Sequence, residues 1–157
     1  MYPPSGQGLR IGFISTRLCG TDGVSLEAGK WACVLAGLGA ESFFFAGQLD
    51  RPPERSYLEP LAHFQHPDIQ RLHQQCFSQA LRSRTMTNRI HRYRNILKDH
   101  LYAFIKQFDI NLLIPENILA IPLNIPLSMA LTELIAETGI AVIAHHHDFF
   151  WERQRFL

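Results

Sequence analysis

Short apolar runs alternate along this chain with longer stretches in which apolar residues recur at helical spacing. Residues 10–16 (RIGFIST) are a brief apolar run bounded by turn residues, which predicts a strand. Over residues 24–38, Leu26, Trp31, Val34, Leu35 and Leu38 can share one face, which predicts an amphipathic helix. Thr21, Asp22 or Ser25 can cap its start, and Gly39 suits its stop. Residues 42–46 (SFFFA) read as a second, buried strand, and the proline-rich, charged residues 47–60 as a loop. Residues 69–108 are mostly helical in pattern, with Pro67 and Asp68 as a start. Within them Ile90, Tyr93, Leu97, Leu101, Phe104 and Ile105 form a core face, and Phe108 and Asp109 close the stretch. Residues 111–115 (NLLIP) are a third strand, and Pro122 and Pro126 bracket a loop. Residues 127–138 are a further helix stopped by Gly139, and residues 140–144 a fourth, buried strand.

Strands that alternate with helices imply a parallel sheet covered on both faces, an α/β Rossmann-like fold. The length suits one domain over residues 1–157, with a flexible N-terminus at residues 1–9. Open sheets of this kind bind ligands outside the carboxyl ends of their strands. The candidate chemistry stands at those ends. The fourth strand runs into His145, His146, His147 and Asp148. Alternation puts His145 and His147 on one side. With Asp148 they form a two-histidine, one-carboxylate set able to hold a metal with an open position. The same imidazoles can serve instead as hydrogen-bonding groups, or simply as a solvated strand end. His63, His66, His73, His91 and His100 show no HExxH-like pairing. Glu116 and Asn117 follow the third strand and so belong to the same edge.

The loop Cys19-Gly20-Thr21-Asp22-Gly23 joins the first strand to the first helix. Small residues there let an oxygen-rich group approach backbone N–H groups at a positive helix end. It has neither GxGxxG spacing nor a P-loop lysine, and a tight turn would use glycine equally well. Glu27 is either a first-turn carboxylate favoured by the helix dipole or a ligand contact.

Composition narrows the classes. Apolar residues make up 46% of the chain, enough for a real core, and the net charge of +1 argues against a general nucleic-acid or membrane-surface binder. The basic stretch over residues 82–106 is a solvated face or an anion contact. Cys19, Cys33 and Cys76 are scattered, as reduced thiols in the cytoplasm would be. The polar, proline- and glycine-containing start lacks the apolar core of a signal peptide. No run approaches the ~20 apolar residues of a membrane span. A cytoplasmic protein with no integral membrane segment is expected.

Three pieces together resemble the amino-terminal domain of family 4 retaining glycosyltransferases, which have the GT-B fold. They are RIGFISTRLCGTDGVSLEAGKWACVLAGLG, the strand SFFFAG, and IPENILAIPLNIPLSMALTELIAETGIAVIAHHHDFFWERQRF. The resemblance covers nearly the whole chain. It implies the acceptor-side half of an enzyme that moves a sugar from a nucleotide-sugar donor to a sugar or small-molecule acceptor, without a cofactor or metal. Gly20, Thr21, Asp22 and Gly23 match the loop that approaches the donor. His147 matches the cleft histidine that contacts the transferred sugar, and Asp148 its polar neighbour. Glu27, Glu116, Asn117 and His145 are further candidate lining residues. A half of this kind is expected to be inactive without a donor-binding domain, separately encoded or otherwise. Its half-cleft, with Phe149, Phe150 and Trp151, is expected to favour a homo-oligomer. The alternatives are a non-catalytic sugar- or anion-binding module and a small metal-dependent hydrolase using His145, His147 and Asp148.

Overall fold

The computed structural model describes residues 8–78 and 81–156. Most of the N-terminal segment expected to be flexible, residues 1–7, lies outside them. Five strands, β1 (Arg10–Ile14), β2 (Glu41–Ala46), β3 (Ser56–Leu58), β4 (Leu112–Pro115) and β5 (Ala141–Val142), form one sheet in the order β3-β2-β1-β4-β5. Every pairing is parallel, with Ile11 of β1 in register with Ser42 on one side and Leu112 on the other. The helices are α1 (Gly23–Gly37), α2 (Pro67–Ser78), α3 (Arg84–Phe108) and α4 (Ile125–Thr138).

Strand alternation divides the core into two layers. Ile11, Phe13, Phe44, Ala46 and Ile114 pack with Ala28 and Trp31 of α1 on one face. Ile14, Phe43, Phe45 and Leu113 pack on the other face with Leu97, Leu101 and Phe104 of α3 and Leu127, Leu131 and Leu134 of α4. This is the α/β Rossmann-like architecture, with both faces of the parallel sheet covered. The third layer of contacts, Leu72 of α2 against Met86 and Ile90, docks α2 on the start of α3. Gly12 makes room on β1 for a side chain of α3: a Cβ there would stand 2.8 Å from Cε1 of Phe104.

The helical stretch expected over residues 69–108 is two helices, parted ahead of Ser83, whose hydroxyl accepts from the Met86 N–H and caps α3. The basic face of α3 is partly neutralised by α4, since Arg94 and Lys98 reach Glu133 at 2.8 and 3.0 Å and Lys98 reaches Glu137 at 2.8 Å. Helix α4 starts two residues before its expected start, at Ile125. Asn124 caps it, and Pro126 sits inside the first turn, where no N–H is needed. Pro122 to Asn124 are loop, as expected, and Pro126 belongs to the helix.

Two expectations fail at the sheet margins. β3 arises within the segment read as loop, where Phe44, Phe45 and Ala46 offer it a partner edge. The last strand, expected to be buried over residues 140–144, is a two-residue outer strand. With β4 on one side only, Ala141 is exposed and Val142 half-buried, and Ile143 just beyond the strand is 46% exposed. Its ladder nevertheless continues past Val142: the N–H groups of Ile143 and His145 donate to the carbonyls of Leu113 and Pro115 at 2.9 and 3.0 Å. The three cysteines are unbridged. Among the described residues no helix is long and apolar enough to cross a membrane.

Candidate functional site

From β1 the chain builds outward through β2 and β3, then returns to the far side of β1 for β4 and β5. The order therefore reverses between β1 and β4, and their carboxyl ends part around a crevice. A cavity of about 220 Å³ lies there. Ser15, Thr16 and Arg17 enter it from the end of β1, and Glu116, Asn117 and Ile118 from the end of β4. Asp22 and Val24 at the start of α1, Phe64, the α4 cap Asn124, and Arg153 also line it.

The β4 exit is held on both sides. The Glu116 N–H donates to the Ile14 carbonyl at 2.8 Å, and Glu116 bridges in parallel to His145. Asn117 then takes the left-handed conformation, at φ 61°, which asparagine tolerates better than most residues. Its own N–H donates to the His145 carbonyl at 2.9 Å. Its side-chain oxygen accepts from the His147 N–H at 2.7 Å, and its amide nitrogen donates to Asp148 at 3.1 Å. One residue thus fixes the path of the whole His145–Asp148 turn. Asp148 also accepts from both Nε and a terminal nitrogen of Arg153.

Beneath this clamp the Glu116 carboxylate is completely buried, and both imidazoles turn onto it. His145 Nδ1 lies 3.0 Å from Oε2, and His147 Nε2 lies 2.8 Å from the same oxygen. The two rings stand 4.4 Å apart, and Trp31 of α1 covers His145 at 5.0 Å. The carboxylate between the histidines is Glu116. Asp148, placed with them by the sequence, turns instead to Arg153 and Asn117.

The glycine loop lies at the carboxyl end of β1, as expected, with Gly20 at φ 80°. Its polar groups are largely engaged within the chain. The Gly20 N–H donates to Asp50 at 2.7 Å, and the Cys19 N–H to the Ser25 hydroxyl at 3.0 Å. Asp22 caps α1 by accepting from the Ser25 N–H and hydroxyl, and pairs with Arg17 at 3.1 Å. Partial burial pushes the Asp22 carboxyl up, but the Ser25 hydrogen bonds and the Arg17 guanidinium outweigh it and hold the group below its ordinary value. The helix end expected to seat an outside anion therefore already holds this carboxylate. Gly20, Thr21 and Gly23 do not line the cavity, and Glu27 pairs with Lys30 on the surface of α1 at 3.1 Å.

Arg17, Phe64, Asn124 and Arg153 are lining residues that the sequence did not reveal. Arg17 immediately follows the apolar run of β1, a position that could have marked it. Phe64 and Arg153 arrive from segments without periodic pattern. Arg17 lies over the Phe64 ring at 5.8 Å, and His63 stacks on the same ring at 4.8 Å. Burial, then the charges of Arg17 and His66, push the His63 imidazole down.

Comparison with known proteins adds what geometry alone does not. The chain is 28% identical over 153 residues to mannosylglucosylglycerate synthase of Petrotoga mobilis, covering 92% of this chain and 33% of that protein. It is 30% identical over 152 residues to the protein of the same name from Thermotoga maritima, covering 95% and 34%. Its relatives are glycosyltransferases. The chain spans about a third of the length of these curated relatives. No family model and no solved structure matches it. The similarity extends over both the β1–α1 segment and the β4–β5 segment, the two that build the crevice.

Proposed function

We propose that this chain is the acceptor-side wall of a sugar-transfer cleft, the amino-terminal half of a GT-B, family 4-type retaining glycosyltransferase that draws on a nucleotide-sugar donor. The observation that carries this reading is the crevice between β1 and β4, in a chain similar to glycosyltransferases over nearly all its length. In a retaining transfer, positive charge develops at the anomeric carbon and negative charge on the leaving phosphate. A wall of fixed dipoles is useful only if it does not have to reorganise. The Asn117 clamp, with its 2.7 Å bond to the His147 N–H, supplies that fixity to the turn that follows β5.

The acceptor follows from the same wall. The name of the two relatives describes the synthesis of a mannosylated glucosylglycerate, whose glycerate end is an acid. Arg17 and Arg153 place guanidinium groups on the cavity wall. Each is held by one carboxylate, Asp22 or Asp148, and a guanidinium has five donors, more than one carboxylate uses. An acidic sugar conjugate such as glucosylglycerate fits that pair. Exposed Phe150 and Trp151 belong to the face that meets the donor-binding half.

The test is calorimetric titration of the chain with glucosylglycerate, followed by transfer assays with a panel of nucleotide sugars. Acceptor binding that weakens about tenfold in R17A, as loss of a charge-assisted hydrogen bond should cost, supports the reading. Transfer should require the donor-binding portion of a relative, because one wall cannot orient both substrates. Absence of acceptor binding refutes the acceptor role, and robust turnover by this chain alone refutes the half-site reading.

A further inference from the structure

The geometry points to a divalent transition-metal site, of the Zn²⁺ class, formed by Glu116, His145 and His147. This inference does not rest on the sugar-transfer reading. One ligand atom from each of the three residues falls within a common 4.8 Å span. The distances of 3.0 and 2.8 Å from the Glu116 oxygen to His145 Nδ1 and His147 Nε2, at which the groups hydrogen-bond in the free chain, are also close to the spacing of neighbouring ligands on one ion. Bonds of ~2.0–2.2 Å to nitrogen and carboxylate oxygen put adjacent ligand atoms roughly 3 Å apart. Small shifts of the rings then suffice to admit the ion.

Charge and burial argue in the same direction. The Glu116 side chain is wholly inaccessible, and the partners found for its carboxylate are these two imidazoles. A wholly buried carboxylate with no guanidinium or ammonium among the partners found for it is costly to leave without a compensating charge in a low-dielectric setting. The nearby guanidinium groups are directed elsewhere, Arg17 to Asp22 and Arg153 to Asp148. A divalent ion supplies that charge and takes a ring nitrogen from each imidazole as a ligand. The donor set of two nitrogens and one oxygen suits Zn²⁺, Co²⁺ or Ni²⁺ and not Mg²⁺, which prefers oxygen ligands throughout. Three protein ligands leave a position open, on the side where His147 reaches solvent.

The surroundings are those of a preorganised site. Asn117 fixes the His147 backbone, and Trp31 packs on the His145 ring, so neither imidazole needs to be ordered by the metal. The ion would in turn lock the outer β5 segment onto β4.

Calorimetric titration of the full chain with ZnCl₂, and visible absorbance on adding CoCl₂, test the site directly. The expected result is one ion per chain, with Co²⁺ d–d bands of low-coordinate intensity. E116Q and H147Q should each weaken Zn²⁺ by more than about 100-fold, beyond the loss typical of an outer-shell change. H91Q, on the exposed side of α3, should bind as the parent does. His147 lies at the surface of the cluster, so H147Q decides the matter even if E116Q fails to fold. The proposal is overturned if Zn²⁺ and Co²⁺ do not bind, if binding survives H147Q, or if Mg²⁺ binds as tightly as Zn²⁺.

Discussion

Single positions set how closely the elements of this protein approach. Gly47, just after β2, faces the turn at His63, where an added Cβ would lie 2.0 Å from the backbone nitrogen and 2.4 Å from Cα. Only a backbone shift could relieve that, so G47A should lose more than about 3 kcal/mol, the upper end of what overpacking costs. G12A meets side chains, Phe104 at 2.8 Å and Ile110 and Leu113 at 3.1 Å, and should lose about 1–3 kcal/mol. Urea midpoints with unchanged m-values measure both, and a G47A protein as stable as G12A would contradict this ranking. Asn117 combines a left-handed backbone with three hydrogen bonds that fix the histidine turn. N117G keeps the conformation and loses the side-chain bonds, whereas N117A loses both. The expected order of stability is therefore parent, N117G, N117A, the last lower by about 2–3 kcal/mol.

Helix ends contribute unequally because some caps also tie elements together. Ser83 caps α3 and does little else, so S83A should cost about 1 kcal/mol. Asn124 is buried, accepts from the Leu127 N–H, and donates to the carbonyls of Leu61 and Ala62, both at 3.0 Å. N124A removes a cap and orphans two carbonyls, and should cost about 2–4 kcal/mol. The Asp22 cap carries a pH signature. Its carboxyl titrates below its ordinary value in the folded chain, so its contribution is present above that value and is lost as pH falls through the folded one. D22N retains the capping geometry and should flatten the acid side of the stability profile, as thermal melts across pH 2–6 (roughly the carboxylate range) would measure. These caps also show what the sequence conveys about the elements. Gly39 and Gly139 announce helix ends through chemistry local to the chain, and both take positive φ. Asn124 stands between two prolines that mask it as loop. β3 has no pattern of its own and exists because β2 offers an edge.

The candidate site was legible as a sheet edge and not as an arrangement. Strand order follows from long-range packing, and which carboxylate meets the histidines depends on how Glu116 and Asp148 turn at the two strand ends. Neither the Glu116–His145 register nor the arrival of Arg153 has a local signature. The same topology gives the site two mechanically different halves. Glu116 extends β4, which pairs with central β1, whose Ile11, Phe13 and Ile14 are fully buried. The histidines extend β5, the outer strand, whose two residues are an exposed Ala141 and a half-buried Val142. Local opening is cheapest where few buried contacts are lost. Hydrogen exchange should therefore find β1 amides opening only with the whole domain, and the Ile143 and His145 amides exchanging at least about 100-fold faster, a gap near 2.7 kcal/mol. A ligand that bridges the crevice gains most by holding the softer half in place. Its binding should slow exchange at His145 and His147 while leaving β1 unchanged. Equal protection of β1 and His145 in the free protein would mean that the outer strand is as firmly held as the centre, and that the site is rigid throughout.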